Sequence, residues 1–143
     1  MNQEVTIAAP VLSFVLPGLP DPRLSPNGWD RMGLWQQVKA RKEQRDLYLN
    51  VLWYELGIRP VEPLERPVEL RIRFTGCGNR ADASNWCLHR GIKVLLDCLT
   101  LPKGPKDYGI GLLVGDETKW VRGVSVTVDA NGPKETTVEI LEV

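Results

Sequence analysis

Residues 68–74 (VELRIRF) alternate strictly between apolar and charged side chains. Successive side chains of a β-strand point to opposite faces of a sheet, so this alternation predicts a strand with one buried and one solvated face. Residues 5–16, 120–128 and 136–143 predict three further strands, while residues 34–57 and 89–101 predict two helices. The order of these elements predicts a single small α+β domain over residues 1–143, a mixed β-sheet with helices packed on it.

Three local features add detail to this prediction. Prolines at positions 20, 22 and 26 predict a structured loop over residues 19–28 with no helix, because proline breaks helices and central strands. The helix over residues 34–57 is polar in its first half and apolar nearly all round in its second, which places the second half in the core. Asn131-Gly132 between the last two strands indicates a hairpin, which Pro133 lengthens.

The charge balance excludes the simplest argument for a nucleic-acid-binding protein. Lys and Arg number 18 and so do Asp and Glu, which gives zero net charge. The distribution is uneven, however, because residues 23–45 contain six basic side chains and only two acidic ones. Polyanion binding by this segment therefore stays open.

The cysteines and the N-terminal segment bear on the compartment. Three cysteines without C-x-x-C spacing predict buried free thiols in a reducing environment. The first residues lack the basic segment of a signal peptide, and the apolar runs are far shorter than the roughly 20 residues of a membrane span. We expect a cytoplasmic protein with no membrane partner.

Carboxylates from three separate segments are the residues most suited to chemistry. Asp82 follows a strand, Asp97 lies in the second helix, and Asp116 lies in a turn before another strand. Converging carboxylates bind Mg²⁺, which keeps several waters that a phosphate substrate replaces. Lys93, one helical turn before Asp97 and one turn after His89, shares their helix face and would offset charge on a phosphate.

Each of these residues also has an ordinary structural explanation. Asp82 would cap a short helix, Lys93 and Asp97 would form an exposed ion pair, and Asp116 would belong to a hairpin turn. His89, the single histidine, would be a surface residue, and the basic helix face would simply be solvated. None of the signals is specific by itself.

Four segments taken in order resemble the RusA family of phage and prophage Holliday-junction endonucleases. Residues 16–27 resemble the proline-rich P-x-P…S-x-N opening, and residues 80–85 (RADASN) resemble the R-x-D-x-D-N signature. Residues 93–99 (KVLLDCL) resemble K-x-x-x-D-x-L, and residues 113–121 (LVGDETKWV) resemble the D-D-x-x-x-V stretch. The resemblance covers residues 17–143, nearly the whole chain.

The resemblance implies a small homodimer that cuts four-way or other branched DNA in recombination and repair. The expected cofactor is Mg²⁺, with Mn²⁺ as the alternative, and the expected setting is the cytoplasm of a bacterial host that carries a phage or prophage. The catalytic residues that it implies are Asp82, Lys93 and Asp116. The metal ligands would be Asp82, Asp97 and Asp116, with Ser84, His89 and Glu117 as further candidates. Basic residues expected to follow the DNA backbone are Arg31, Lys39, Arg41, Lys42, Arg45 and Arg80.

The chain departs from the family pattern at two points. Ser84 replaces the second aspartate of the signature, and the stretch from Asn85 to Lys93 is longer than in the family, which puts His89 where that aspartate would stand. These departures suggest the leading alternative, a branched-DNA-binding module on the same fold with impaired cleavage. A third alternative, an interaction protein with no DNA role, is favoured only by the zero net charge.

Overall fold

The computed structural model describes residues 10–60 and 62–143, and these form one four-stranded sheet with helices packed on it. The strands are β1 (Pro10–Pro17), β2 (Val68–Thr75), β3 (Val121–Val128) and β4 (Glu135–Glu142), in the spatial order β1-β4-β2-β3. β2 and β3 are parallel, whereas β4 pairs antiparallel with both β1 and β2. The predicted α+β class with a mixed sheet is confirmed; residues 5–9 of the predicted first strand lie outside the described residues.

Four α-helices accompany the sheet in the described part of the chain. They are α1 (Pro26–Asp30), α2 (Leu34–Asn50), α3 (Ala83–Cys87) and α4 (Arg90–Leu99). A 3₁₀ turn (Pro22–Leu24) precedes α1, and a π-helical turn (Val51–Glu55) extends α2. The helices predicted over residues 34–57 and 89–101 are therefore both present, with the expected boundaries to within a few residues.

The alternating pattern of β2 decides which face of the sheet is covered. Its four apolar side chains are at most 1% exposed, and the intervening Glu69, Arg71 and Arg73 are exposed. The buried side chains share one core with Leu95 and Leu99 of α4. Each such side chain contributes roughly 1.5–3 kcal/mol when it leaves water, so the pattern strongly fixes which face is buried.

The second half of the helix predicted over residues 34–57 packs in the core, as its apolar composition predicted. Its buried or partly buried side chains in the core are Tyr48, Leu49, Val51, Leu52 and Trp53. Leu47, at 50% exposed, does not reach the core. The buried face also continues into the polar half at Ala40 and Gln44, because one face of a helix lying on a sheet meets the core along its length.

The last two strands do not form the predicted hairpin, because β2 lies between β3 and β4. The connection crosses the end of β2, where the Asp129 N–H donates to the Phe74 carbonyl at 2.8 Å and the Gly76 N–H donates to the Asn131 carbonyl at 3.0 Å. A Cβ at Gly76, whose φ is +73°, would lie 2.9 Å from the Gly132 oxygen. The turn at Asn131-Gly132 therefore belongs to a connection that crosses the end of β2. As a result, β2 is hydrogen-bonded to β4 on one edge and to β3 on the other.

The proline-rich segment contains short helical turns that the sequence interpretation excluded. Pro22 and Pro26 stand at first helical positions, where the missing N–H has no intrahelical partner to lose. Asp21 and Ser25 accept backbone N–H groups as caps. These caps order the segment. A proline would interrupt a long helix, but in this segment each of the two prolines begins a short helical turn.

The three cysteines are unpaired, and only Cys98 is buried; Cys77 is partly buried and Cys87 is exposed. The expectation of buried thiols therefore holds for Cys98, where burial raises the pKa to about 12. Within residues 10–60 and 62–143, no helix has both the length and the apolar content needed to cross a membrane.

Candidate active site

Lys93 joins two of the predicted carboxylates. Its Nζ lies 3.0 Å from Asp97 Oδ1, one turn further along α4, and also contacts Asp116 Oδ2. The hydrogen bond from Lys93 lowers the pKa of Asp116 below its usual value, and the same bond raises the pKa of Lys93. Asp97 and Asp116, two of the predicted metal ligands, are therefore brought to a single ammonium.

The end of α4 fixes where Asp116 lies. The last turn of a helix leaves carbonyls without intrahelical partners. Here the Cys98 carbonyl accepts from Ile110 at 2.8 Å and the Leu99 carbonyl accepts from Leu113 at 3.0 Å. These bonds hold residues 110–113 against the helix end, and the chain then reaches Asp116 within three residues. The predicted ordinary hairpin turn around Asp116 is replaced by this attached loop.

Gly109 makes this attachment sterically possible. A Cβ at Gly109 would lie 1.7 Å from the backbone carbonyl oxygen of Thr100 and 2.8 Å from the backbone carbonyl oxygen of Asp97. No side chain fits at these separations without moving backbone. The loop therefore approaches α4 closely because residue 109 is glycine.

A cleft of about 180 Å³ lies beside the two carboxylates. Lys103, Asp107 and Tyr108, from the loop that follows α4, line it together with Asp97 and Asp116. The Asp107 carboxylate accepts the backbone N–H groups of Lys103 at 2.9 Å and Gly104 at 3.1 Å, which orders the loop. None of these loop residues was among the predicted site residues; the sequence signal for them was Lys103, Lys106 and Asp107 directly after an aspartate-bearing helix.

A second cleft, of about 240 Å³, carries basic side chains and meets the first at Tyr108. Arg41, Lys42 and Arg45 of α2 line it, and the Arg45 guanidinium lies 4.6 Å from the centroid of the Tyr108 ring. Tyr108 belongs to both linings, so a basic surface borders the carboxylate pair directly. Three of the six predicted DNA-binding residues come together in this way.

The other three predicted DNA-binding residues do not line the basic cleft. Lys39 Nζ lies 3.9 Å from Glu43 on the neighbouring turn of α2. Arg31 and Arg80 are exposed. Their predicted contact with DNA stays a prediction.

Asp82 and Ser84 form a separate local structure. Asp82 is the N-cap of α3, and its Oδ1 accepts the Ser84 N–H at 2.9 Å and the Ser84 hydroxyl at 2.7 Å. The hydrogen bond from the hydroxyl lowers the pKa of Asp82. The contacts of Asp82 thus match the capping alternative, and within the described ranges no hydrogen bond or ion pair joins it to Lys93, Asp97 or Asp116.

His89 is not a surface residue, and in the part of the chain that the structure describes no hydrogen bond or ion pair joins it to Lys93, Asp97 or Asp116. It is 5% exposed and is the N-cap of α4, where Nδ1 accepts the Gly91 N–H at 3.0 Å. Its ring stacks on Trp86 with centroids 5.4 Å apart. Burial lowers the pKa of His89 to about 4, so the ring is neutral at physiological pH. The predicted face shared with Lys93 is not formed, because the His89 ring is buried beside Trp86 whereas Lys93 is exposed.

Glu117 points back along the chain toward Gly115 and pairs with Lys103. A Cβ at Gly115 would lie 2.3 Å from Glu117 Oε2, and Lys103 Nζ contacts Oε1. The hydrogen bond from Lys103 lowers the pKa of Glu117. This second acid–lysine pair lies beside the carboxylate cleft through Lys103 and Gly115, which both line it.

Two carboxylates, Asp97 and Asp116, are the donors suited to Mg²⁺. Within residues 10–60 and 62–143, no three His, Cys, Asp or Glu side chains are close enough to hold a metal ion together. Mg²⁺ is commonly held by one or two carboxylates, its other positions filled by waters and substrate phosphates. The pair therefore fits a cation that binds together with the substrate, and does not fit a cation coordinated entirely by protein side chains.

No family model, curated protein or solved structure matches the chain significantly.

Proposed function

We propose that this protein is a Mg²⁺-dependent endonuclease that hydrolyses phosphodiester bonds of branched DNA, with the Holliday junction of recombination and repair as its substrate. The observation that carries the proposal is the meeting of Asp97 and Asp116, from separate elements, on Lys93 beside a basic cleft. An ordinary surface ion pair needs neither the second carboxylate nor the adjoining cations. The ordered resemblance of four sequence segments supports the same chemistry.

The carboxylates and the lysine have distinct roles in this proposal. Asp97 and Asp116 would hold the cation, which when bound supplies an activated water and neutralises charge on the phosphate. The Lys93 ammonium, charged at all physiological pH values, would leave its carboxylate partners for the scissile phosphate and stabilise the developing charge. Asp116, whose pKa is lowered, stays ionised and able to bind a cation at neutral pH.

The basic cleft would position the DNA. Arg41 and Lys42 are exposed, and Arg45 is held over Tyr108 at the boundary with the carboxylate cleft. Phosphate contacts by such residues give affinity and orientation without reading sequence. When these cations hold one phosphodiester, the next phosphodiester of the same DNA strand would lie toward Lys93.

A homodimer is part of the proposal because a four-way junction needs two symmetrical nicks. Two identical sites related by a two-fold axis supply these nicks, and C2 dimers are the most frequent oligomers. Sedimentation of the protein at assay concentration tests this directly; a monomer that nicks both strands would contradict it.

The alternative is a branched-DNA-binding module with impaired cleavage, and one observation favours it. Asp82, the first aspartate of the family signature, caps α3 and contacts Ser84, and Ser84 brings no charge. A site reduced to two carboxylates with a lysine between them would bind Mg²⁺ weakly. The same basic cleft would then bind DNA without cutting it.

Nicking of a synthetic four-way junction distinguishes the two functions. The native protein is expected to nick the junction with Mg²⁺ and to leave linear duplex of the same sequence intact, and a chelator should abolish nicking. Asp116→Asn should abolish nicking and retain junction binding, because it removes the charge and keeps the shape. Glu142→Gln is the matched control, since it neutralises a carboxylate whose ion pair is with Arg66 on another part of the surface.

Binding without nicking in any Mg²⁺ or Mn²⁺ concentration would select the binding module. Absence of salt-dependent binding to junction, duplex and single strand would contradict both functions. Nicking by Asp116→Asn at the native rate would contradict the assignment of the site.

A further inference from the structure

The first two turns of α2 expose apolar side chains that packing does not explain. Trp35 is 83% exposed, Leu34 is 70% exposed and Val38 is 52% exposed. A tryptophan this exposed leaves most of its large apolar surface in water, which disfavours it unless a ligand covers the ring. These three side chains lie on the helix that carries the basic cleft.

Trp35 continues the line of the basic cleft by one helical turn. Residues 35, 38 and 42 follow the i, i+3, i+7 spacing of a single helix face, and Val38 and Lys42 line the cleft with Arg41, Arg45 and Tyr108. The separation from Trp35 to Lys42 is about 10 Å along the helix axis. The surface therefore runs from an exposed aromatic ring, past cations, to the carboxylate cleft.

We infer that this surface binds single-stranded DNA and that Trp35 stacks on an unpaired base. Single-strand-binding proteins combine a cationic groove for the phosphates with aromatic rings for the bases. A duplex hides the faces of its bases in its own stack, whereas a branch point or an unwound end exposes them. The inference rests on the proposed function for its choice of DNA as the polyanion, and it adds the strand-opened part of that substrate.

Charge argues against a second copy of the chain as the occupant. Lys39, Arg41, Lys42 and Arg45 accompany this face of α2, and Glu43 is the one acid between them. A two-fold contact through the face would set the cations of one α2 against those of the other. A polyanion meets the same surface with favourable charge along its length.

The test measures binding of labelled oligothymidine of about 16 nucleotides, the upper end of common single-strand site sizes, by fluorescence anisotropy with a chelator present. Trp35→Ala is expected to weaken binding by about 5- to 150-fold, the usual effect of removing a base-stacking aromatic. Trp35→Phe should restore most of the affinity. An abasic oligonucleotide of equal length keeps the phosphates without the bases, so the native protein and Trp35→Ala should bind it equally.

Tyr54→Ala is the matched control, because Tyr54 is 79% exposed and lies on the π-helical turn away from the basic cleft. It should bind oligothymidine like the native protein. Equal oligothymidine affinity of Trp35→Ala and native protein would overturn the inference. A change from dimer to monomer in sedimentation of Trp35→Ala would also overturn it and assign the ring to an interface between copies.

The chelator separates this test from that of the proposed function. A loss of oligothymidine affinity in Trp35→Ala, measured without Mg²⁺, would support base stacking even if the native protein shows no nicking with Mg²⁺. Junction nicking together with an unaffected Trp35→Ala variant would contradict the stacking alone.

Discussion

Removal of Arg41 and Lys42 provides a quantitative test of the basic cleft. Both side chains are exposed, both line the cleft, and neither forms an ion pair with any residue in the described ranges. They are therefore free to neutralise phosphates, whereas Arg45 also supports Tyr108 and pairs with Asp46 at 3.0 Å. The double variant Arg41→Gln/Lys42→Gln removes two cations with little loss of packing.

The expected magnitude follows from counterion release. Each phosphate neutralised on duplex DNA contributes about 0.9 to the slope of log affinity against log salt concentration. Two lost contacts should make the slope shallower by about 1.8. Between 50 and 200 mM salt, the native protein should then lose about tenfold more affinity than the variant does.

Fluorescence anisotropy with a labelled four-way junction and a chelator, repeated over a series of NaCl concentrations, measures this slope. The control is Arg66→Gln/Arg73→Gln, which removes the same charge from exposed arginines paired with Glu142 and Asp129. Its slope should match that of the native protein. An unchanged slope for the Arg41/Lys42 variant would refute the cleft as the place of phosphate contact, and an equal change in both variants would indicate a general charge effect.

Three further predictions follow from local structure. Gly109→Ala should destabilise the fold by about 1–3 kcal/mol and slow nicking, since its Cβ would meet the Thr100 oxygen, whereas Gly104→Ala, with nothing within 4 Å, should do neither; urea unfolding and nicking rates check both. Because burial lowers the pKa of His89 from 6.5 to about 4, the unfolded chain takes up the proton first as pH falls. The free energy of unfolding should therefore decline between pH 6.5 and 4, by at most about 1.4 kcal/mol per pH unit, and less steeply in His89→Asn, as urea unfolding at several pH values would show. Asp82→Asn should keep the α3 cap, stability, junction binding and nicking, because Asp82 contacts Ser84 at the cap and not the Lys93 cluster, whereas Asp82→Ala should lose about 1 kcal/mol of stability; loss of nicking by Asp82→Asn would instead assign Asp82 to the catalytic site, as the family resemblance implies.

Several features of the fold were predictable because they depend on neighbours in sequence. The alternation over residues 68–74 determined a half-buried strand, and the apolar spacing over residues 89–101 determined a helix. The period of that helix also determined that Lys93 and Asp97 would meet. The capping alternative for Asp82 followed in the same way from the polar residues around it.

Predictions that failed concern partners distant in sequence. The Asn131-Gly132 signal indicates a turn, and the chain does turn there, but β2 lies between β3 and β4 and pairs with both of them. The order of strands in a sheet depends on pairing between distant segments, and a local turn signal carries no information about it.

The sequence by itself determined the α+β class, the helix that carries Lys93 and Asp97, and the basic character of α2, because each depends on periodicity or composition within a single segment. Only the tertiary structure decided that Asp116 joins Lys93, since that contact depends on loop N–H groups bonding to the free carbonyls at the end of α4. It also decided that Asp82 stays at the cap of α3 and that Tyr108 joins the basic cleft to the carboxylates. Such contacts arise from the packing of segments far apart in the chain, and no local pattern encodes their distances.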